Sequence, residues 1–91
     1  MVYVDDMRNC MQTKFWPYGQ ACHLMADSVA ELHEFAGRLK LKRSWFQDKS
    51  LPHYDLTAGM RTKAVQLGAC EIDRHRFVEL MRKNRPGKGR K

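Results

Sequence analysis

Histidine and carboxylate side chains occur together at three places in this 91-residue sequence. Asp5 follows a short apolar run near the start of the chain. His23 and Asp27 precede a helix signal, and His53 and Asp55 follow a turn. Imidazole titrates near neutral pH, so histidines beside carboxylates suit general acid and base catalysis. The same side chains bind divalent metal ions through nitrogen and oxygen atoms, and both chemistries stay open at this point.

His53 and Asp55 are two residues apart, so in an extended segment their side chains project to the same side. We predict that Asp55 orients His53 as one catalytic imidazole. His23 supplies the second and exchanges the roles of base and acid with His53, while Asp5 holds this second imidazole or a divalent metal. The expected reaction is hydrolysis or lysis of a phosphoester in a nucleotide or nucleic acid. A structural interpretation also stands, in which Asp55 helps to begin a helix and Asp5 begins a turn.

The elements that would position these groups alternate between strands and helices. Residues 2–4 are β-branched and aromatic, which is typical of a buried strand, and residues 44–47 and 69–72 predict two more strands. Three helices are predicted, with N-terminal caps at Ser28, Thr57 and Asp73. No period is evident over residues 7–27, which predicts a long irregular loop.

Residues 28–31 match a capping box, and an apolar stripe predicts that the helix after them ends near Lys40. The resulting order, β-α-β-α-β-α, predicts an α/β fold with a small three-stranded, mostly parallel sheet. In such sheets ligands bind beyond the carboxyl ends of the strands. The candidate site is therefore expected at those ends.

The formal net charge of +7 is concentrated at the C-terminus. Residues 1–73 carry nine basic and nine acidic side chains, whereas residues 74–91 carry eight basic and one acidic. We predict one domain over residues 1–83 and a disordered basic tail over residues 84–91. A non-enzymatic alternative is a binding module whose last helix and tail contact nucleic-acid phosphates. Its contacts would be Arg82, Lys83, Arg85, Lys88, Arg90 and Lys91.

Composition excludes several other classes of protein. No apolar run approaches the roughly 20 residues that cross a bilayer, and the first residues lack the pattern of a signal peptide. The three cysteines are unevenly spaced and form no C-x-x-C pair, so neither a disulfide framework nor a thiolate zinc site is predicted. A cytoplasmic domain without membrane contact is expected. It would be a monomer or a homodimer, and the aromatic loop at residues 15–18 could anchor a protein partner.

An ordered series of motifs resembles one known family. The series contains Asp5 after the first strand, Trp16-Pro17 with Gly19, His23-Leu24, Asp27, Glu31-Leu32-His33, Phe35-Ala36 and His53-Tyr54-Asp55. Together these motifs resemble domain of unknown function family 4031, a short domain of bacteria and phages, over nearly the whole chain up to the last helix. The family brings no assigned activity.

The resemblance implies that the polar side chains of this series form a site. They are Asp5, His23, Asp27, His33, His53, Tyr54 and Asp55. Beside the catalytic residues, we predict five substrate-binding residues, and among them Arg61 would offset phosphate charge. The five are Trp16, Asp27, His33, Tyr54 and Arg61.

Overall fold

A computed structural model describes residues 1–14, 16–48 and 51–83. Its strands are β1 (Val2–Val4), β2 (Arg8–Asn9), β3 (Gln20–Ala26), β4 (Tyr54–Leu56) and β5 (Cys70–Glu71). Its helices are α1 (Val29–Arg38), α2 (Ala58–Gln66) and α3 (Arg74–Lys83), with a 3-10 helix at Arg43–Trp45. The tail predicted over residues 84–91 lies outside the described residues. None of the described helices has the length and apolar character needed to cross a membrane.

The five strands form one mixed sheet with β3 at its centre. Strands β1 and β2 pair antiparallel with one edge of β3, and β4 pairs antiparallel with its other edge. Within the described residues, only β1 and β5 pair in parallel, with Tyr3 opposite Cys70. The prediction of an α/β fold is confirmed, but a mostly parallel, three-stranded sheet is wrong. The reason is that β3 returns directly beside β1, without the helical crossover that a parallel neighbour needs.

Two segments differ from the predicted elements. The stretch expected to be irregular contains β2 and β3, and β3 has the sequence QACHLMA, which contains no β-branched residue. Burial stabilises this strand, since Cys22 and Leu24 are fully buried and Met25 nearly so. The strand expected at residues 44–47 is instead a 3-10 helix followed by a single bridge between Gln47 and His53.

Alternating side chains divide the sheet into two buried faces. Val4 and Leu24 lie on the face covered by α1 and α2. Tyr3 and Met25 lie on the opposite face, where they pack with residues of α3 that include Phe77. The domain is therefore a three-layer arrangement in which α3 alone among the described helices covers the second face.

The helix starts follow the sequence signals. Ser28 Oγ accepts a hydrogen bond from the Glu31 amide, and Thr57 Oγ1 accepts one from the Met60 amide. Asp73 Oδ1 accepts from the third amide of α3 in the same way. The capping box is only half formed, because the Glu31 carboxylate accepts from the amine of Met1 at 2.6 Å.

Both α1 and α2 end in a Schellman motif, in which a residue in the left-handed region reverses the chain. After α2 this residue is Gly68, with φ +111°. After α1 it is Lys40, with φ +62°, a conformation that favours glycine. The amide of Leu41 donates to the carbonyl of Ala36 at 3.0 Å and closes the motif after α1.

Candidate functional site

Three of the four predicted catalytic side chains meet on one face of the sheet. His23 in β3 lies directly opposite Asp55 in β4. His53 precedes Asp55 by two residues, and the rings of His23 and His53 meet edge to face with their centroids 4.8 Å apart. One ligand atom from each of His23, His53 and Asp55 lies within 4.8 Å of the others. We call these three residues the His-Asp cluster.

The His-Asp cluster lies beneath α3, on the second face of the sheet. His23 is in the middle of β3, with the Phe77 ring of α3 stacked on its imidazole at 5.1 Å between centroids. The expectation that His23 sits at a junction between strand and helix, beyond the strand ends, is therefore wrong. The antiparallel return of β3 moves His23 onto the sheet face, where its register with β4 brings it to Asp55.

Asp5, the fourth predicted catalytic residue, contacts His23 through both of its carboxylate oxygens. Its side chain is 5% exposed. Oδ1 accepts from the backbone N–H of His23 at 2.6 Å, and Oδ2 lies 2.8 Å from Nδ1 of the same residue. An ionised carboxylate only accepts hydrogen bonds, so this contact favours the tautomer in which Nδ1 donates to Asp5 and Nε2 faces away from it. In histidines that ligate metals, the ring nitrogen that does not bind the metal typically donates to a carboxylate in this way.

His53 is oriented by the turn that precedes β4. Its Nδ1 donates to the carbonyl oxygen of Leu51 at 2.8 Å, and a carbonyl oxygen can only accept. Nε2 of His53 is thereby directed to Asp55, with 3.6 Å between Nε2 and Oδ1. A separation of 3.6 Å is too long for a direct hydrogen bond and is close to that of two atoms that bind one metal ion.

Gln47 orients the third member of the cluster. Its Nε2 donates to Oδ2 of Asp55 at 2.5 Å, and the backbone of Gln47 pairs with that of His53. The segment after the 3-10 helix thus fixes the carboxylate that faces the imidazole. All three members of the His-Asp cluster have a partner that sets the direction of the ligand atom.

A cavity of about 320 Å³ opens over the two imidazoles. Two arginines, Arg8 from β2 and Arg74 from α3, line it beside apolar side chains. The guanidinium of Arg8 also lies over the ring of Phe77, 5.9 Å from its centroid. Guanidinium groups bind carboxylate and phosphate oxygens in pairs, so this cavity suits an anionic group next to the cluster.

His33 and Tyr54, predicted to bind substrate, lie on the other face of the sheet. Nδ1 of His33 is 2.8 Å from the hydroxyl of Tyr54, whose side chain is almost fully buried. Burial lowers the pKa of His33, with Arg43 adding a smaller effect in the same direction, and burial raises the pKa of Tyr54. The neutral pair joins α1 to β4, on the face opposite to the His-Asp cluster.

Asp27 and Arg61 bind other parts of the protein. Asp27 accepts from the hydroxyl of Tyr3 at 2.9 Å and from the amine of Met1 at 3.1 Å, at the opposite end of β1 from Asp5. Arg61 donates through Nε to the backbone oxygen of Asp5 at 2.7 Å and through a terminal nitrogen to Glu71 at 3.2 Å. Arg61 therefore secures the end of β1, on which Asp5 depends.

Trp16, the remaining predicted substrate-binding residue, lines a second cavity of about 580 Å³. We call this cavity the aromatic groove. Its lining consists of Trp16, Pro17, Tyr18, Lys40, Ser44, Trp45, Gln47, Asp55, Thr57 and Met60. Asp55 thus belongs to both the groove and the His-Asp cluster.

The nucleic-acid contacts predicted in the tail stay a prediction. Arg82 is exposed on α3. The side chain of Lys83 and residues 85, 88, 90 and 91 lie outside what the structure describes. The sequence analysis missed Arg8, Arg74 and Gln47. No local signal marks them, because each reaches the site through a strand, a helix or a bridge whose placement depends on the whole sheet.

The fold and the site define a class of small three-layer α/β domains with a histidine and carboxylate cluster on one face of a mixed sheet. The chain belongs to a family of proteins of unknown function (DUF4031), whose family model matches residues 2–84. The resemblance found in the sequence motifs is thereby confirmed. Comparisons with curated proteins and with solved structures returned no match.

Proposed function

We propose that the domain hydrolyses phosphoesters with a divalent metal ion bound by His23, His53 and Asp55. The observation that carries the proposal is the convergence of their three ligand atoms within 4.8 Å, beside a cavity lined by two arginines. Two imidazole nitrogens and one carboxylate form a ligand set that zinc, iron and manganese accept and that leaves coordination positions for water and substrate. Calcium and magnesium prefer sites built from oxygen.

The partners of the two imidazoles support metal binding over a structural role. Asp5 contacts Nδ1 of His23, and the Leu51 carbonyl contacts Nδ1 of His53, so each imidazole would present Nε2 to the same ion. Such outer partners raise the basicity of a ligating imidazole and fix its direction.

The chemistry follows from this arrangement. A divalent ion held by His23, His53 and Asp55 would lower the pKa of a bound water and so supply the hydroxide that attacks phosphorus. The bond from phosphorus to the ester oxygen breaks, and the departing oxygen takes a proton from solvent. Arg8 and Arg74 bind the phosphate oxygens and offset their negative charge, a role that the sequence analysis gave to Arg61.

A version without metal uses the same residues. The rings of His23 and His53 are close enough for both to reach one scissile bond, with one as base and the other as acid. A chelator separates the two mechanisms, because only metal-assisted hydrolysis depends on a bound ion.

The test uses the full chain, stripped with chelator and reloaded with zinc, manganese or cobalt. Bound metal is measured by elemental analysis, and phosphoester hydrolysis by release of p-nitrophenol from mono- and diesters. We expect His23→Ala and His53→Ala to lose both metal and turnover. His75→Ala is the matched control, since His75 is exposed on α3 and outside the cluster.

Three outcomes are decisive. Metal binding and turnover that both require His53 support the proposal. Turnover that requires His53 but persists in chelator overturns the metal and supports acid and base catalysis. A wild-type protein that hydrolyses none of the esters, or one matched in rate by His53→Ala, overturns the proposed function.

A further inference from the structure

The aromatic groove has the composition of a small-molecule site. Its volume of about 580 Å³ falls within the range of ligand pockets, and it combines aromatic side chains with a few polar ones. Trp45 and Tyr18 are about half exposed, at 51% and 50%, although both are large enough to contribute to the core. Exposed rings grouped around one cavity are typical of a surface that binds a flat apolar group.

Contacts hold the Trp16 and Tyr18 rings at this groove, and a lysine lies over the Trp45 ring. Nε1 of Trp16 donates to the carbonyl oxygen of Gln20 at 3.2 Å, and its ring meets that of Tyr18 edge to face at 5.0 Å. The ammonium of Lys42 lies 5.7 Å from the centroid of Trp45. Fixed rings with positive charge nearby favour a ligand that is both aromatic and anionic, because little ordering is required on binding.

Lys40 adds a second cation at the groove and occupies a strained position. Its φ of +62° lies where glycine is preferred, as at Gly68 in the equivalent position after α2. Lysine at this position places an amine-bearing side chain in the groove lining. Strained backbone at a ligand site is a recognised association, and here it coincides with a charged side chain.

Asp55 links the groove to the His-Asp cluster. Oδ2 accepts from Gln47, which also lines the groove, and Oδ1 lies 3.6 Å from Nε2 of His53. A ligand in the groove is therefore next to a residue that the proposed mechanism uses as a metal ligand. Serine, threonine and glutamine side chains in the lining can bond to a base edge or a sugar hydroxyl.

We infer that the aromatic groove binds the nucleobase of a nucleotide whose phosphate enters the neighbouring cluster. The inference rests on the proposed function for the fate of the phosphate, and it names the substrate class of that site. Bases stack on aromatic side chains with little dependence on sequence, and Lys40 and Lys42 suit the overall negative charge of a nucleotide. The ligand is a free nucleotide or a nucleotide within a single strand, since both present the same base and phosphate.

The test measures equilibrium binding to the full chain by calorimetry, in chelator so that no metal takes part. The ligands are nucleoside monophosphates, ribose 5-phosphate and a single-stranded trinucleotide. We expect nucleoside monophosphates to bind more tightly than ribose 5-phosphate. Trp45→Ala should weaken nucleotide binding by about fivefold to 100-fold, the range for loss of one stacking ring. Leu67→Ala removes an exposed apolar side chain of similar accessibility outside the groove and should leave binding unchanged.

The outcomes separate this inference from the proposed function. Equal binding of ribose 5-phosphate and nucleotide, or unchanged affinity in Trp45→Ala, overturns the groove assignment even if phosphoesters are hydrolysed. Binding that depends on Trp45 in a protein that hydrolyses no phosphoester keeps the groove and overturns the proposed function. Tighter binding of the trinucleotide assigns the site to single strands, and equal binding assigns it to free nucleotides.

Discussion

Replacing Asp5 with asparagine tests the arrangement of the His-Asp cluster at a residue that is not one of its ligands. Asparagine has the same shape, but one carboxylate oxygen becomes an NH₂ group that donates. The backbone N–H and Nδ1 of His23 both donate to Asp5 and cannot both be satisfied after the change. If the new NH₂ faces Nδ1, the imidazole proton moves to Nε2, where it blocks a metal ion.

The size of the effect follows from these contacts. Loss of an outer partner of a metal ligand typically lowers metal affinity by about 10-fold to 100-fold. This corresponds to roughly 1.4 to 2.8 kcal/mol of binding free energy. Because the Asp5 side chain is 5% exposed, water does not replace the lost contact. The free energy of unfolding should also fall by about 1.5 to 3 kcal/mol, the range for a hydrogen bond to a charged group.

Metal affinity is measured by competition with a coloured zinc chelator, and folding by circular dichroism at the same temperature. Asp6→Asn is the matched control, because Asp6 is adjacent in sequence and exposed. It makes the same chemical change without touching His23. Equal zinc affinity in the folded Asp5→Asn and Asp6→Asn proteins would refute the role given to Asp5.

Three further predictions concern single side chains. Tyr54→Phe removes the hydroxyl that bonds to His33 and should lower the free energy of unfolding, measured with urea, by about 1 kcal/mol. A change in zinc affinity would contradict the position of Tyr54 on the opposite face. Lys40→Gly should raise the free energy of unfolding by about 0.5 to 1 kcal/mol, since glycine adopts the left-handed conformation without strain. The same variant should bind nucleotide more weakly. A variant less stable than the wild type would contradict the strain assigned to Lys40. Burial and the nearby Asp5 raise the pKa of Cys22 to about 12. At about pH 8 an aromatic disulfide reagent should therefore modify the exposed Cys10 and spare Cys22 until urea is added, and rapid loss of both thiols in the folded protein would be the contrary result.

The elements that the sequence predicted well are those whose signals are local. Ser28, Thr57 and Asp73 cap their helices because each side chain needs only an amide three residues away. Strand β3 has no such signal. Its alanines, glutamine and methionine have low strand propensity, and pairing on both of its edges makes it a strand. Because β3 was not predicted, the antiparallel pairing that makes the sheet mixed was not predicted either.

The residues of the candidate site likewise differ in whether local sequence alone predicts their positions. His53 and Asp55 share a side because neighbours alternate in any strand, so the sequence alone predicted their proximity. That His23 joins them depends on the register between β3 and β4, which is a property of the assembled sheet. The same holds for His33 and Tyr54. Their polarity placed them in the predicted site, but the alternation of β4 directs Tyr54 to the other face.

The parallel pairing of β1 with β5 joins two strands that are far apart in the sequence, with Tyr3 opposite Cys70. Contacts this far apart in sequence form late and slow the folding of small domains. During synthesis β1, β3 and β4 leave the ribosome before β5 and α3, so His23, His53 and Asp55 can meet before Phe77 arrives to cover them. The order of synthesis would thus leave the proposed metal site open in the growing chain until the last helix covers it.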